Sequence, residues 1–120
     1  MNIKAKGKYY EYKALEILKN KGFKALRIPT SATGKQPLPD IIATKNNTIY
    51  AIEVKSTRQN RIYIDAFQIE KIIKFCMMFD FCNCEPTILI FWKKYKSVRM
   101  YKINQYDGKN GITIRYKAKS

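Results

Sequence analysis

The sequence predicts an α/β domain with a mixed sheet that is covered by helices on both faces. Segments with helical periodicity alternate with apolar, strand-like runs, in the order helix, strand, hairpin, helix and three strands. Both faces of the hairpin carry apolar residues, so each face needs a covering layer. The length of 120 residues fits one domain, and we expect residues 1–120 to form it.

Each predicted element has its own local signal. The first helix runs from about Ala5 to Lys21 and stops at Gly22, and the second runs from about Asp65 to Met78 with Asp65 as its N-cap. The strand "FKALRI" lies between them. The hairpin strands, Asp40–Lys45 and Thr48–Ser56, meet at the Asn46-Asn47 turn. Later strands are predicted in "PTILIFWKK", "SVRMYKIN" and "GITIRYKA".

The charge balance is strongly basic. Lys and Arg total 24 against 9 Asp and Glu, which gives a net charge of +15. A surface of this sign attracts polyanions, and nucleic acid is the commonest polyanion in the cytosol. Solubility, or a lysine-rich composition inherited from an A/T-rich genome, is the alternative explanation.

Other features of the composition exclude several classes of protein. No apolar run is long enough to span a membrane and no secretory signal opens the chain, so we expect a cytoplasmic protein without a membrane partner. The chain has no His, which rules out imidazole as a general base. Cys76, Cys82 and Cys84 are too few for a typical structural zinc site, and we expect them to be free thiols.

Three charged residues lie among apolar neighbours in the hairpin: Asp40, Glu53 and Lys55. A two-residue turn at Asn46-Asn47 makes the numbers of paired residues sum to 93, which sets Asp40 opposite Glu53. Lys55 follows Glu53 by two residues and therefore shares its face. A slip of one residue in the register would separate the two carboxylates.

Two opposed carboxylates repel each other and call for a cation between them. Lys55 supplies part of the positive charge. Oxygen ligands without His or Cys suit Mg²⁺, with Mn²⁺ as a substitute. The alternative is a salt-bridged hairpin end with no metal.

Glu11 is a candidate third carboxylate. It precedes Ala14, Leu15 and Leu18 at spacings of 3, 4 and 7, which places it in the apolar stripe of the first helix. Its side chain either reaches the sheet or simply reaches water at the end of that stripe.

A carboxylate-bound metal beside a lysine suits phosphodiester hydrolysis on a basic protein. The metal polarises the phosphoryl oxygen and lowers the pKa of a bound water. Lys55 would orient the hydroxide or balance the charge of the transition state.

The segments "GKYYE", "LRIPTS", "PDIIATKN", "IEVKS" and "FQIEKIIKF" occur in an order that is more specific than any one of them. In this combination the chain resembles the PD-(D/E)xK nuclease superfamily and, within it, the archaeal-type Holliday junction resolvases. The similarity covers most of Gly7 to about Phe75, and the C-terminal third has no match. The resemblance and composition suggest an archaeon or an archaeal virus as the source.

The resemblance implies a restriction-endonuclease-like three-layer domain with a central mixed sheet of about five strands and helices on both faces. It implies a Mg²⁺-dependent, structure-selective endodeoxyribonuclease without a small-molecule cofactor. Such enzymes act as homodimers that make paired symmetric cuts in a four-way DNA junction. A restriction- or repair-type nuclease, or a non-catalytic basic DNA-binding protein with this fold, are the alternatives.

The resemblance also implies roles for individual residues. Asp40 and Glu53 match metal ligands, Lys55 matches the stabilising lysine, Glu11 matches the carboxylate that completes the metal site, and Ser31 matches a loop serine needed for cleavage. Supporting polar positions are matched by Gln68 and Arg27.

Further candidates come from charge and apolar content. The expected phosphate contacts are Arg27, Lys35, Arg58 and Arg61. Apolar residues that exceed the needs of a small core are candidates for the dimer interface: Met77, Met78, Phe79, Phe81 and Trp92. Burial of these five in the core of the protomer is the alternative.

Overall fold

The computed structural model describes residues 3–29, 36–104 and 106–118, and side chains from residue 6 onward. The helices are α1 (Ile3–Asn20), α2 (Ala66–Met77) and a short 3-10 helix (Lys93–Tyr95). The strands are β1 (Lys24–Arg27), β2 (Ile41–Lys45), β3 (Thr48–Thr57), β4 (Arg61–Ile64), β5 (Asn83–Trp92), β6 (Ser97–Lys102) and β7 (Ile112–Arg115).

A mixed five-stranded sheet forms the centre of the fold, in the order β1-β2-β3-β5-β6. Strands β3 and β5 are parallel, and the other neighbours are antiparallel. The parallel pair needs a crossover connection, and α2 lies within it. The predicted mixed sheet with helical cover is confirmed.

The hairpin between β2 and β3 has the predicted register. Asn46 and Asn47 both have positive φ, at 51° and 61°, as a two-residue hairpin turn of this kind requires. Lys45 pairs with Thr48, and Ile41 pairs with Ile52. All five pairs of this ladder therefore sum to 93, and the next step beyond Ile41 sets Asp40 opposite Glu53.

The sheet separates two apolar clusters. On one face, Ala14 and Leu18 of α1 pack on Ile41, Ile52 and Leu89. On the other face, the buried residues of α2 pack against alternate positions of the same strands, and this second cluster contains Ala51, Ile69, Ile72, Ile88 and Ile90. The result is a three-layer arrangement in which every second residue of β3 faces α2.

A second, two-stranded sheet was not predicted. Strand β4 pairs with β7, and Arg61 lies opposite Arg115 at its end. The sequence analysis assigned no strand to residues 61–64, and it gave no separate sheet to "GITIRYKA". The β4 segment has only four residues, and its partner lies about fifty residues further along the chain, so no local pattern marks the pairing.

Two expectations are corrected by the packing. Trp92 is fully buried in the cluster on the α2 face and donates from Nε1 to the Tyr101 hydroxyl at 2.9 Å, so it belongs to the core and not to a dimer interface. Cys76 and Cys84 are joined by a disulfide, with Cα atoms 5.1 Å apart, whereas free thiols were expected. The end of α2 and the start of β5 bring these two residues together. Cys82 is a free thiol, as predicted.

The N-cap of α2 gives a first prediction. The Asp65 side chain accepts a hydrogen bond from the Gln68 backbone N–H at 2.9 Å. We expect Asp65→Ala to lower the free energy of unfolding by about 1 kcal/mol, because an N–H at the start of the helix loses its acceptor. Urea denaturation measures the change. Asp65→Ser is the matched control, since serine also caps, and an equal loss in both variants would contradict this role.

Candidate active site

Asp40 and Glu53 form the centre of the candidate site. Asp40 immediately precedes β2, and Glu53 lies in the middle of β3 on the face that carries Ala51. Only 8% of Asp40 and 2% of Glu53 is exposed. The Asp40 Oδ2 atom accepts a hydrogen bond from the Val54 backbone N–H at 2.9 Å, which ties this carboxylate to β3. Two buried acids thus meet at one end of the hairpin.

Two lysines approach Glu53 from different elements. Lys71 of α2 places its Nζ 2.9 Å from Glu53 Oε1, and Lys55 lies two residues beyond Glu53 on the same face of β3. The Lys71 contact has the distance of an ion pair but not the alignment of a hydrogen bond. Among the described residues, Glu53 Oε1 is therefore a buried oxygen without a hydrogen-bond donor. Its one polar neighbour among the described residues is the Lys71 ammonium group, which a bound cation would have to displace.

The electrostatics of Glu53 reflect this crowding. Burial, and next the Asp40 carboxylate, raise the pKa of Glu53 from 4.5 to about 7, while Lys71 and Lys55 oppose the rise. The charged form is disfavoured because water is excluded and a like charge is close. A cation bound at this point would favour the ionised form.

Glu11 approaches from the other side of the sheet. Arg27 lies opposite Ile41 in the ladder, on the α1 face, and its Nε donates to Glu11 Oε1 at 2.9 Å. The Arg27 guanidinium also lies over the Tyr12 ring, 4.9 Å from its centroid. Burial and Asp40 raise the pKa of Glu11, and Arg27 opposes this, so Glu11 is electrostatically coupled to Asp40 across the sheet end.

The carboxylates of the candidate site are candidate ligands for a divalent metal. Within residues 3–29, 36–104 and 106–118, no three Asp, Glu, Cys or His side chains lie close enough together to hold one ion. Glu11 is paired with Arg27, and a three-carboxylate site stays a prediction. Mg²⁺ is usually held by one or two carboxylates, waters and substrate phosphates. Asp40 and Glu53, two buried carboxylates at one end of the hairpin, fit that pattern.

The remaining predicted site residues lie at varied places. Gln68 is half-buried in the first turn of α2, one turn before Lys71 on the same side of the helix. Arg58 is exposed just after β3, and Arg61 is exposed on the separate two-stranded sheet. Ser31 and Lys35 lie outside the described residues. Their roles, like those of Gln68, Arg58 and Arg61, stay predictions.

Three of the predicted interface residues are exposed at the end of α2 and just beyond it. Met77 is 74% exposed, Met78 67% and Phe81 81%. Phe79 packs partly against the core and lies between the rings of Phe75 and Phe81. The exposed side chains are compatible with an interface, which stays a prediction.

Lys71 is the site residue that the sequence analysis missed. A lysine on an amphipathic helix usually indicates the solvated face, and α2 carries three lysine or acidic positions of that kind. Its spacing of three residues from Gln68 was the available signal, because residues at that spacing are neighbours on a helix.

Comparison with known proteins decides the family. The family model described as "Archaeal holliday junction resolvase (hjc)" matches residues 2–120. The chain belongs to the archaeal Holliday junction resolvase family. It is thereby placed among the endonucleases.

Two relatives show how fully the resolvase family covers this chain. A crossover junction endodeoxyribonuclease of Sulfolobus islandicus rod-shaped virus 1 is 58% identical over 117 residues, which are 98% of this chain and 96% of the relative. The crossover junction endodeoxyribonuclease Hje of Saccharolobus solfataricus is 41% identical over 97 residues, covering 81% of this chain and 69% of that protein. The match thus extends into the C-terminal third, where the sequence analysis found none.

A solved structure supports the fold. The structure of Archaeoglobus fulgidus Hjc, described as a Holliday junction resolvase, superposes with a TM-score of 0.76. The match covers 91% of this chain and 88% of the other, at 24% identity.

In the part of the chain that the structure describes, the helices lack the length and apolar character needed to cross a bilayer.

The raised pKa of Glu53 predicts how stability depends on pH when metal is chelated. Between pH 4.5 and about 7 the folded protein holds a proton that the unfolded chain has released. The free energy of unfolding should therefore fall as the pH rises through this window, by on the order of 3 kcal/mol. Urea denaturation in a chelator at half-unit steps of pH measures the fall.

Glu53→Gln is the control, because it keeps the shape of the side chain without the charge and should flatten the profile. Lys71→Met should extend the fall above pH 7, since the cation that favours ionised Glu53 is removed. A wild-type profile that rises between pH 4.5 and 7, or that Glu53→Gln leaves unchanged, would contradict the assignment.

Proposed function

We propose that this protein is a Mg²⁺-dependent endodeoxyribonuclease that resolves four-way DNA junctions by paired symmetric cuts, acting as a homodimer. The observation that carries the proposal is the meeting of Asp40 and Glu53 at one end of the hairpin, with Lys55 on the same face. The near full-length relative is a crossover junction endodeoxyribonuclease, and family membership implies a divalent metal.

In this proposal the acids and the lysines have separate roles. Asp40 and Glu53 hold the metal, and Glu11 completes the site when it leaves Arg27. The metal, when bound, supplies Lewis acidity and lowers the pKa of a bound water. Lys55 places a compact positive charge beside the phosphate, where negative charge grows in the transition state.

Lys71 holds the Glu53 carboxylate in place. The ion pair between its Nζ and Glu53 Oε1 links α2 to the site across 2.9 Å. In the absence of metal, Lys71 supplies the positive charge that a buried glutamate beside a second carboxylate needs.

A dimer explains selectivity for a junction. Two-fold symmetry presents two sites at a fixed separation, and a four-way junction offers two equivalent strands at matching positions. Contacts to phosphates fix position without reading bases, so sequence contributes little. The exposed apolar side chains Met77, Met78 and Phe81 are the surface that we assign to the partner protomer.

Removal of either acidic charge tests the proposal. We expect Asp40→Asn and Glu53→Gln to reduce cutting of a four-way junction to background, because the metal loses a charged ligand. Binding should persist, since the phosphate contacts remain and the repulsion of phosphate by the acid is relieved. Asparagine can still accept the hydrogen bond from Val54 N–H, so the fold is retained. End-labelled junctions with Mg²⁺ report cutting, and a mobility-shift assay in chelator reports binding.

Glu85→Gln is the matched control, because Glu85 pairs with Lys102 near the other end of β5. It should cut at the wild-type rate. Site-specific cuts in linear duplex would indicate a restriction- or repair-type nuclease. Tight binding by the wild type with no cutting in Mg²⁺ or Mn²⁺ would indicate a non-catalytic DNA-binding protein.

A further inference from the structure

A groove of about 730 Å³ opens on the α1 side of the sheet, where β3 and β5 end. Its walls come from α1, from the residue after β3 and from the turn between β5 and β6. Five cations line it, namely Lys13, Arg58, Lys93, Lys94 and Lys96. Among the described residues that line this basic groove there is no acid. The groove is therefore complementary to an extended anion.

Aromatic side chains form the floor of the basic groove, and they pack against neighbouring side chains. The rings of Tyr10 and Phe91 pack with centroids 4.9 Å apart, and Phe91 is buried. Tyr9 contacts Tyr10 edge-on at 5.1 Å, and Lys93 lies 4.8 Å from the centroid of the Tyr10 ring. Of the described aromatic residues that line the groove, Phe91 and Trp92 are buried and Tyr10 has Lys93 over its ring, so the groove favours a sugar-phosphate backbone over stacked bases.

The cations at the mouth of this groove repel one another. The neighbouring Lys93 lowers the pKa of Lys6, because two positive charges held close together disfavour each other, and Arg58 adds to the effect. Like charges held this close destabilise one another unless an anion lies between them. A phosphate bound in the groove would relieve this repulsion.

The basic groove and the Asp40–Glu53 site lie on opposite faces of the sheet, and the end of β3 joins them. Arg58 follows Lys55 by three residues at the end of β3, which corresponds to about 10 Å along an extended chain. One strand end thus joins Lys55, on the α2 face of β3, to Arg58 in the groove.

We propose that the basic groove binds the phosphodiester backbone of a duplex DNA arm. This inference deepens the proposed function, and it rests on that function only for the identity of the arm as part of a junction. The groove contributes affinity and orientation, and it contributes equally on a junction arm and on a plain duplex. Junction selectivity then comes from the paired sites and not from this contact.

A charge-matched pair of triple variants tests the inference. The groove variant combines Lys13→Gln, Lys93→Gln and Lys94→Gln. The control variant combines Lys19→Gln, Lys24→Gln and Lys109→Gln, three exposed lysines outside the groove, so the net charge falls equally. Fluorescence anisotropy with a labelled four-way junction and a labelled linear duplex, in chelator at several salt concentrations, gives the affinities. Circular dichroism melting confirms that both variants fold.

We expect the groove variant to bind both DNAs about tenfold more weakly at 0.1 M salt, and its salt slope to fall by about two to three per protomer. The control should stay within about twofold of wild type. Hydroxyl-radical footprints should lose protection on the arms and keep it at the centre of the junction. The proposal is overturned if both triples weaken binding equally, if the groove variant binds like wild type, or if single-stranded DNA competes better than duplex.

These outcomes separate the two proposals. If the wild type does not cut junctions but the groove variant still loses duplex affinity, the proposed function fails and the groove assignment stands. If the wild type cuts junctions and the groove variant keeps its arm protection, the groove assignment fails alone.

Discussion

The close approach of Asp40 and Glu53 is the constraint on which the rest of the site depends. The turn at Asn46 and Asn47 sets the register, and the register brings two acids together in a setting that excludes water. Two buried carboxylates at this spacing are unfavourable unless cations or donors compensate. The Val54 N–H, Lys71 and Lys55 each supply part of that compensation. Even so, the Glu53 Oε1 atom is buried without an aligned hydrogen bond among the described residues, and its nearest compensating charge is Lys71.

Each of the two helices brings a different charged residue to the buried acids. Helix α2 brings Lys71 to Glu53, whereas α1 brings Glu11, which Arg27 neutralises on the opposite face. Asp40 stands at the sheet end between these two pairs and raises the pKa of both glutamates. Both helices are packed firmly on the sheet, so the separation of the charges is fixed by the core. A change of charge beside Asp40, such as a bound metal or phosphate, would therefore alter the electrostatics of both Glu11 and Glu53.

The sequence was sufficient for the parts of the fold that depend on local signals. A two-residue turn gives the hairpin register by counting. Apolar residues on both faces of the hairpin predict that both faces are covered. It failed where contacts depend on how separate elements pack together. The β4–β7 pairing joins two short segments with no shared pattern, and Cys76 meets Cys84 only because α2 ends beside β5. Trp92 was misassigned because a long apolar strand does not reveal that both of its faces are covered. Lys71 was missed because a helical lysine normally indicates solvent.

The distribution of charge explains why so basic a surface remains available to DNA. Seven of the nine acids make contacts inside the protein, since Glu11, Asp40, Glu53, Asp65, Glu70, Glu85 and Asp107 each accept a hydrogen bond or an ion pair. In the described part of the chain, these acids form ion pairs with only three of the 24 cations. The excess positive charge therefore acts at long range and attracts any polyanion. Long-range attraction cannot orient a duplex, because it has no fixed geometry. Orientation requires cations gathered at one defined place, and the basic groove at the ends of β3 and β5 gathers five of them.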